Sequence, residues 1–104
     1  MNTKRNKSAL SQLETIAGKS LSLGSLLEAL RQNEEMTLAE FALQLKISSS
    51  HLCDIEKGRK VVTPERAANF AQLLGRSERQ FIRLAIQDNL NRLGLKFKVQ
   101  LEVA

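Results

Sequence analysis

Apolar positions recur at helical spacing through most of the chain and switch to strict alternation at its end. Leu10, Leu13 and Ala17, with Ile16 beside them, predict a short helix over about 8–17 that Gly18 closes. Lys19-Ser20-Leu21-Ser22-Leu23 alternates briefly and predicts a short strand. Gly24-Ser25 opens a helix with Leu26, Leu27 and Leu30 on its apolar face, fading at Asn33-Glu34-Glu35. Thr37 is a good N-cap, and Glu40 completes a capping box. Leu38, Phe41, Ala42 and Leu45 then mark one face of a two-turn helix. Lys46-Ile47 leaves room only for a tight turn, after which Ser48 caps a helix with Leu52 and Ile55 inward and Gly58 at its end. Beyond a loop over Arg59 to Val62, Thr63-Pro64-Glu65 starts a helix with Pro at its first position. Ala67, Phe70, Ala71 and Leu74 give its buried stripe, and Gly75 its C-cap. Ser77 caps a longer helix with Phe81, Ile82, Ala85, Ile86, Leu90 and Leu93 inward, stopped by Gly94. Residues 95–103 alternate apolar and polar at every step, the cleanest strand signal present.

The 104 residues suit one small domain, 42% hydrophobic and 26% charged. The expected organisation is an N-terminal arm over 1–23, a helical body over 24–94 and a strand over 95–104. The net charge of +5 favours an anionic partner without naming it. It is unevenly spread: residues 1–19 carry net +3, 28–40 net −3, 46–66 net +2 and 76–98 net +4. Selected faces are therefore presented to an anion. One Cys and one His exclude a disulfide scaffold, a CxxC redox centre and a Cys/His zinc site. No apolar run approaches the roughly 18 residues of a membrane helix. The segment after the cationic start MNTKRNKS is too polar for a signal-peptide core, so a reduced cytoplasm is the expected location.

Residues 37–58, TLAEFALQLKISSSHLCDIEKG, carry the functional signal. Two short helices joined by a turn of a few residues are the geometry of a helix-turn-helix. Ala42 sits where the second helix would cross the first, and Ile47, Leu52 and Ile55 fill the space between them. Ser49, Ser50, His51, Cys53 and Asp54 are left exposed, and the second helix offers unpaired N–H groups to a phosphate or base edge.

Over about residues 24–75, most densely 37–60, the sequence resembles the Cro/cI-type helix-turn-helix family of phage repressors and bacterial regulators, the XRE family. The pattern is Thr-x-Ala-Glu-Phe-Ala, an aliphatic pair, then Ser-x-x-x-Leu-x-x-Ile-Glu-x-Gly. The resemblance implies an all-α, lambda repressor-like bundle of five helices whose third helix enters the DNA major groove. It assigns base reading to Ser49, Ser50 and Asp54, and phosphate contacts to Ser48, Lys57, Arg59 and Lys60. It also implies an ion pair between Arg31 and Glu56. Four positions depart from the family. Lys46 stands at a turn position often held by Gly and should take the left-handed conformation at a cost of about 1 kcal/mol. Leu38 replaces a phosphate-contacting Gln, and two serines replace long amide side chains that read adenine. Serine is promiscuous between bases, so no operator sequence follows.

Plainer roles stand beside these. Glu40 and Glu56 are better explained by capping and ion pairing than by acid–base chemistry, since no nucleophile or metal cluster accompanies them. His51 is either a phosphate contact or a solvated surface residue, and Cys53 is better read as a free thiol than a redox sensor. Asp54 either accepts from cytosine N4 or repels phosphate to limit nonspecific binding. Arg76, Arg79 and Arg83 read first as a solvated face, and Lys4, Arg5 and Lys7 as a solubilising tail or a DNA-tracking arm.

The C-terminal strand must pair with something, because an unpaired strand is unstable in water. The candidates are Lys19–Leu23 of its own or a second chain, the same strand of a second chain, or another protein. Leu95, Phe97, Val99, Leu101 and Val103 share one face, suited to dimerisation. The leading expectation is a homodimeric repressor on double-stranded DNA, with no cofactor, no metal, no catalytic residues and no membrane partner. One form is the antitoxin and autorepressor of a toxin–antitoxin operon, with residues 1–23 and 95–104 available to the toxin; the other is a stand-alone or phage-type repressor. The alternative is a protein-interaction adaptor that uses the fold without DNA.

Overall fold

The computed structural model describes residues 21–104. Their five helices are α1 (Leu23–Asn33), α2 (Leu38–Leu45), α3 (Ser49–Glu56), α4 (Pro64–Leu74) and α5 (Glu78–Arg92). The described residues contain no strand, so the fold they show is all-α. The expected helix over 8–17 and the basic arm at Lys4, Arg5 and Lys7 lie outside the described residues.

Four helix starts follow from local chemistry. Thr37 accepts from the Glu40 N–H at 3.1 Å, and the Glu40 carboxylate accepts from the Thr37 N–H at 2.8 Å. Ser48, Thr63 and Ser77 cap α3, α4 and α5 through their hydroxyls, with Pro64 opening α4. The start of α1 differs from the sequence expectation. Ser22 is its N-cap and Leu23 is already helical, so the described end of the expected Lys19–Leu23 strand is not extended ladder. A reciprocal Ser22–Ser25 capping box holds that end, and the Asp88 carboxylate of α5 accepts the Leu23 N–H at 2.9 Å. Three orphan N–H groups thus find partners, a stronger determinant than brief alternation.

The core is one cluster in which Leu26, Leu27, Phe41, Leu45, Leu52, Phe70, Phe81 and Leu84 are fully buried. Within it α1 approaches α3 closely at Gly24. A Cβ at Gly24 would run into the carbonyl oxygen of Ile55 and stand 3.0 Å from its carbon.

Along α5 the buried set is Phe81, Leu84, Ala85 and Gln87, whereas Ile82, Ile86 and Leu90 are half-buried and Leu93 is 71% exposed. The inward face is thus rotated from the purely apolar stripe expected. Polar Gln87 and Asp88 can face inward because both are hydrogen-bonded.

The strand expected over 95–104 is not formed in the single chain: residues 95–104 adopt no regular structure. The cause is the lack of a backbone ladder among the described residues. The Gln87 carboxamide stands in its place, donating to the Phe97 carbonyl at 2.7 Å and accepting the Val99 N–H at 2.8 Å.

Candidate nucleic-acid interface

The turn between α2 and α3 sets how α3 is presented. Lys46 sits at φ 61°, ψ 41°, left-handed, with its N–H on the last turn of α2. The Ile47 N–H reaches the Ala42 carbonyl at 3.0 Å. Left-handed backbone at a side-chain-bearing residue is strained. It is held here because Ile47 packs against the core on one side and Leu45 is buried on the other. Ala42 is likewise buried, leaving room for α3 to cross.

Behind α3, a two-pronged contact fixes its far end. Arg31 Nε donates to Glu56 Oε2 at 2.9 Å and Nη2 to Oε1 at 3.0 Å, while Nη1 reaches the Met36 carbonyl at 3.2 Å. One guanidinium thereby joins α1, the approach to α2 and the end of α3. The Glu56 side chain is only 2% exposed, and that fork meets both of its carboxylate oxygens. The same hydrogen bond pushes the Arg31 pKa up, against the opposing effect of burial.

The outward side of α3 divides into two ends. At its start Ser48, Ser49 and Ser50 are exposed. Ser48 Oγ accepts the His51 N–H at 3.1 Å and lies 3.5 Å from Ser50 Oγ. Among the described residues, no hydrogen bond uses the N–H groups of Ser49 and Ser50. This end of α3 is therefore a hydroxyl cluster over free backbone donors, at the positive pole of the helix.

At the other end Lys57, Arg59 and Lys60 are exposed. Arg59 Nε bonds Asp54 Oδ1 at 2.8 Å, and the Arg59 and Lys60 N–H groups both donate to the Asp54 carbonyl. The Arg59 hydrogen bond, more than any other influence, holds the Asp54 carboxyl below its usual range, so Asp54 is an acceptor at neutral pH. To read a base it must exchange Arg59 for that base. Exposed pairs of this kind are weak, so the exchange is open to DNA. Cys53 is half-buried, with Arg59 Nη2 3.6 Å from its sulfur.

Two cations enter this surface without any local sequence signal. Arg66 of α4 places Nη1 3.3 Å from His51 Nδ1. Desolvation first, then Arg66 and Lys60, lowers the His51 pKa, so the ring is neutral at pH 7. An open groove of about 790 Å³ runs there, lined by His51, Thr63, Arg66, Asn69 and Gln72 among others. Arg92 of α5 borders a second groove, about 570 Å³, together with Arg59, Lys60 and Asp88. Only three-dimensional packing brings these residues to α3, since Arg66 and His51 are 15 positions apart. On the C-terminal segment Leu95, Phe97 and Val103 are exposed, whereas Val99 and Leu101 are half-buried.

Among the described residues, no group of three or more His, Cys, Asp or Glu side chains could hold a metal ion. No helix among them is long and apolar enough to cross a membrane. A family model described as a helix-turn-helix domain matches residues 22–83. No curated protein and no solved structure matches the chain.

Proposed function

The chain belongs to the helix-turn-helix domain family, and from that premise we propose that it is a Cro/cI-type transcriptional repressor binding a near-palindromic operator as a homodimer. A helix-turn-helix domain implies a DNA-binding regulator. The observation that carries it is the start of α3, where exposed Ser48, Ser49 and Ser50 surround free backbone N–H groups. In this reading Ser49 and Ser50 meet base edges, and Ser48 meets a phosphate. Lys57, Arg59 and Lys60 meet phosphates at the other end of α3, with His51 at the rim and Asp54 releasing Arg59 to the backbone. Arg66 extends the same basic rim. No step of this function is catalytic, and no cofactor or metal takes part. Two half-sites about one helical turn apart call for two copies of α3, hence a dimer through residues 95–103. An autorepressing antitoxin is one form of this regulator, with a toxin on the segments flanking the helical body.

The Asp54–Arg59 pair favours a second reading. It cancels a cation on the face that would meet DNA, as a protein-binding adaptor would tolerate. Replacing Ser49 and Ser50 together with Glu separates the two. A DNA reader should lose operator affinity about a hundredfold or more while keeping its melting temperature, because two anions then face bases and phosphates. Unchanged affinity removes this surface from DNA recognition.

A further inference from the structure

The backbone of the C-terminal segment is committed along one edge and open along the other. The Leu95 N–H bonds the Leu90 carbonyl at 2.9 Å, and the Phe97 N–H bonds the Leu95 carbonyl at 3.0 Å. The Phe97 carbonyl and the Val99 N–H are both taken by Gln87. Within the segment, every one of these groups belongs to an odd-numbered residue. Among the described residues, no hydrogen bond uses the backbone of Lys96, Lys98, Gln100 or Glu102.

Gln87 is itself buried, and it bonds the carbonyl before Lys98 and the N–H after it. That is how one residue of a neighbouring parallel strand would engage Lys98. The side chain thus substitutes for a strand on one edge and holds the segment as a template on the other. Asn91 Oδ1, accepting from Gln87 Nε2 at 3.1 Å, steadies the carboxamide. The i to i+2 hydrogen bond around Lys96, whose φ is not positive, is the inverse γ-turn common at strand ends, and it must open for Leu95 and Lys96 to join a ladder.

We propose that the open edge pairs antiparallel with the same edge of a second copy of this chain, about a two-fold axis at Val99, with Gln87 as the residue that positions it. The inference rests on the dimeric DNA-reading function, and it adds the register and the device that sets it. Side-chain alternation restricts the pairing to registers that set odd residues opposite odd ones. With the axis at Val99, Leu95 faces Val103, Phe97 faces Leu101 and Val99 faces itself. On the other face Lys96 meets Glu102, twice by symmetry, and Lys98 meets Gln100. Moving the axis to Lys98 sets Lys98 against itself, and like charges directly opposite are unfavourable. Moving it to Gln100 keeps a Lys98–Glu102 pair but removes Leu95 from any apolar partner. A parallel in-register pair stacks Lys96 and Lys98 on their own copies. The Val99 register alone matches all five apolar side chains without opposing two cations. Phe97, 68% exposed, and Val103, 78% exposed, both gain apolar neighbours in it.

Position-specific cross-linking of the full chain tests this pairing. In a Cys53→Ser background, Val99→Cys should oxidise to a disulfide-linked dimer. Non-hydrogen-bonded antiparallel pairs bring Cα atoms to about 4.5 Å, within disulfide reach. Phe97→Cys and Leu101→Cys should each link to themselves at least tenfold more slowly, and a mixture of the two should link readily. Gln87→Met should slow the Val99→Cys link at least tenfold while leaving the melting temperature within a few degrees. Equal linking at positions 97, 99 and 101, or none at 99, overturns the register. An unchanged rate with Gln87→Met overturns the role of Gln87. A linked Val99→Cys dimer that prefers no duplex leaves the pairing standing and refutes the DNA-reading function. Selection of a near-palindrome by a protein that does not link at 99 does the reverse.

Discussion

The start of α3 and the C-terminal segment both present alternatives to solvent, but they are held very differently. Behind α3 stand a turn fixed by Lys46 and Ile47, a close backbone approach at Gly24 and a two-pronged Arg31–Glu56 contact. The C-terminal segment beyond Leu95 is tied to the bundle through Gln87. Redundant fixing suits a surface that must match a fixed groove geometry. A lighter fixing is what the proposed pairing with a second copy requires of the C-terminal segment. The two buried polar side chains are divided between the two regions, Glu56 behind α3 and Gln87 behind the C-terminal segment.

The strongest blow to this contrast is Glu56→Ala. It strands the Arg31 guanidinium, which is mostly buried, and should cost about 3 kcal/mol in urea unfolding. It should also weaken DNA binding in the fraction that stays folded, because α3 loses its far anchor. A loss under about 1 kcal/mol would mean the pair is ornamental.

Gly24→Ala comes next. Its methyl group meets the Ile55 backbone, so α1 and α3 must part, at about 2 kcal/mol. The drop in melting temperature measures it, and a stabilised variant would contradict the close approach.

Asp88→Asn should act through pH. Burial pushes the Asp88 carboxyl up, against the Leu23 N–H, which favours the anion. A pKa raised in the fold means that the favourable contribution of Asp88 is fully present below its unfolded pKa, near about pH 4. That contribution is lost as pH rises through the raised value. Asn keeps an acceptor for the Leu23 N–H and does not titrate. The variant should therefore gain on the parent as pH rises from about 4, read as the difference between their unfolding free energies. A difference that stays flat to neutral pH would contradict the raised Asp88 pKa.

The smallest effect on stability belongs to Asp54→Asn, which should leave the melting temperature unchanged because the Asp54–Arg59 pair is exposed. Its effect falls on DNA instead. A freed Arg59 should steepen the salt dependence by about one counterion and raise nonspecific affinity. An unchanged slope would place Arg59 away from phosphates.

The local devices were legible in the sequence because their causes are local. Thr37 and Glu40, Pro64 after Thr63, and left-handed Lys46 each depend on neighbours within a few residues. The family match over residues 22–83 rests on the same legible stretch. What stayed hidden depends on partners far along the chain. Ser22 and Leu23 looked like strand because Asp88, 65 positions after Leu23, was not visible as a cap. Gln87 broke the apolar stripe of α5 and was left out of the core, yet its carboxamide holds Phe97 and Val99. The alternation over 95–103 predicted a strand that residues 95–104 do not form, because a pattern specifies a face and not the partner that makes a ladder. Arg66 carried no signal at all, since only the packing of α4 beside α3 brings it to His51.

The most direct test is selection of duplexes from a random library by the purified chain at physiological salt, followed by titration of the winners against salt. The account predicts a near-palindrome with half-sites about ten base pairs apart, with affinity falling linearly on a log–log salt plot. Enrichment of no sequence, or binding that ignores salt, would contradict the claim that the exposed start of α3 reads DNA.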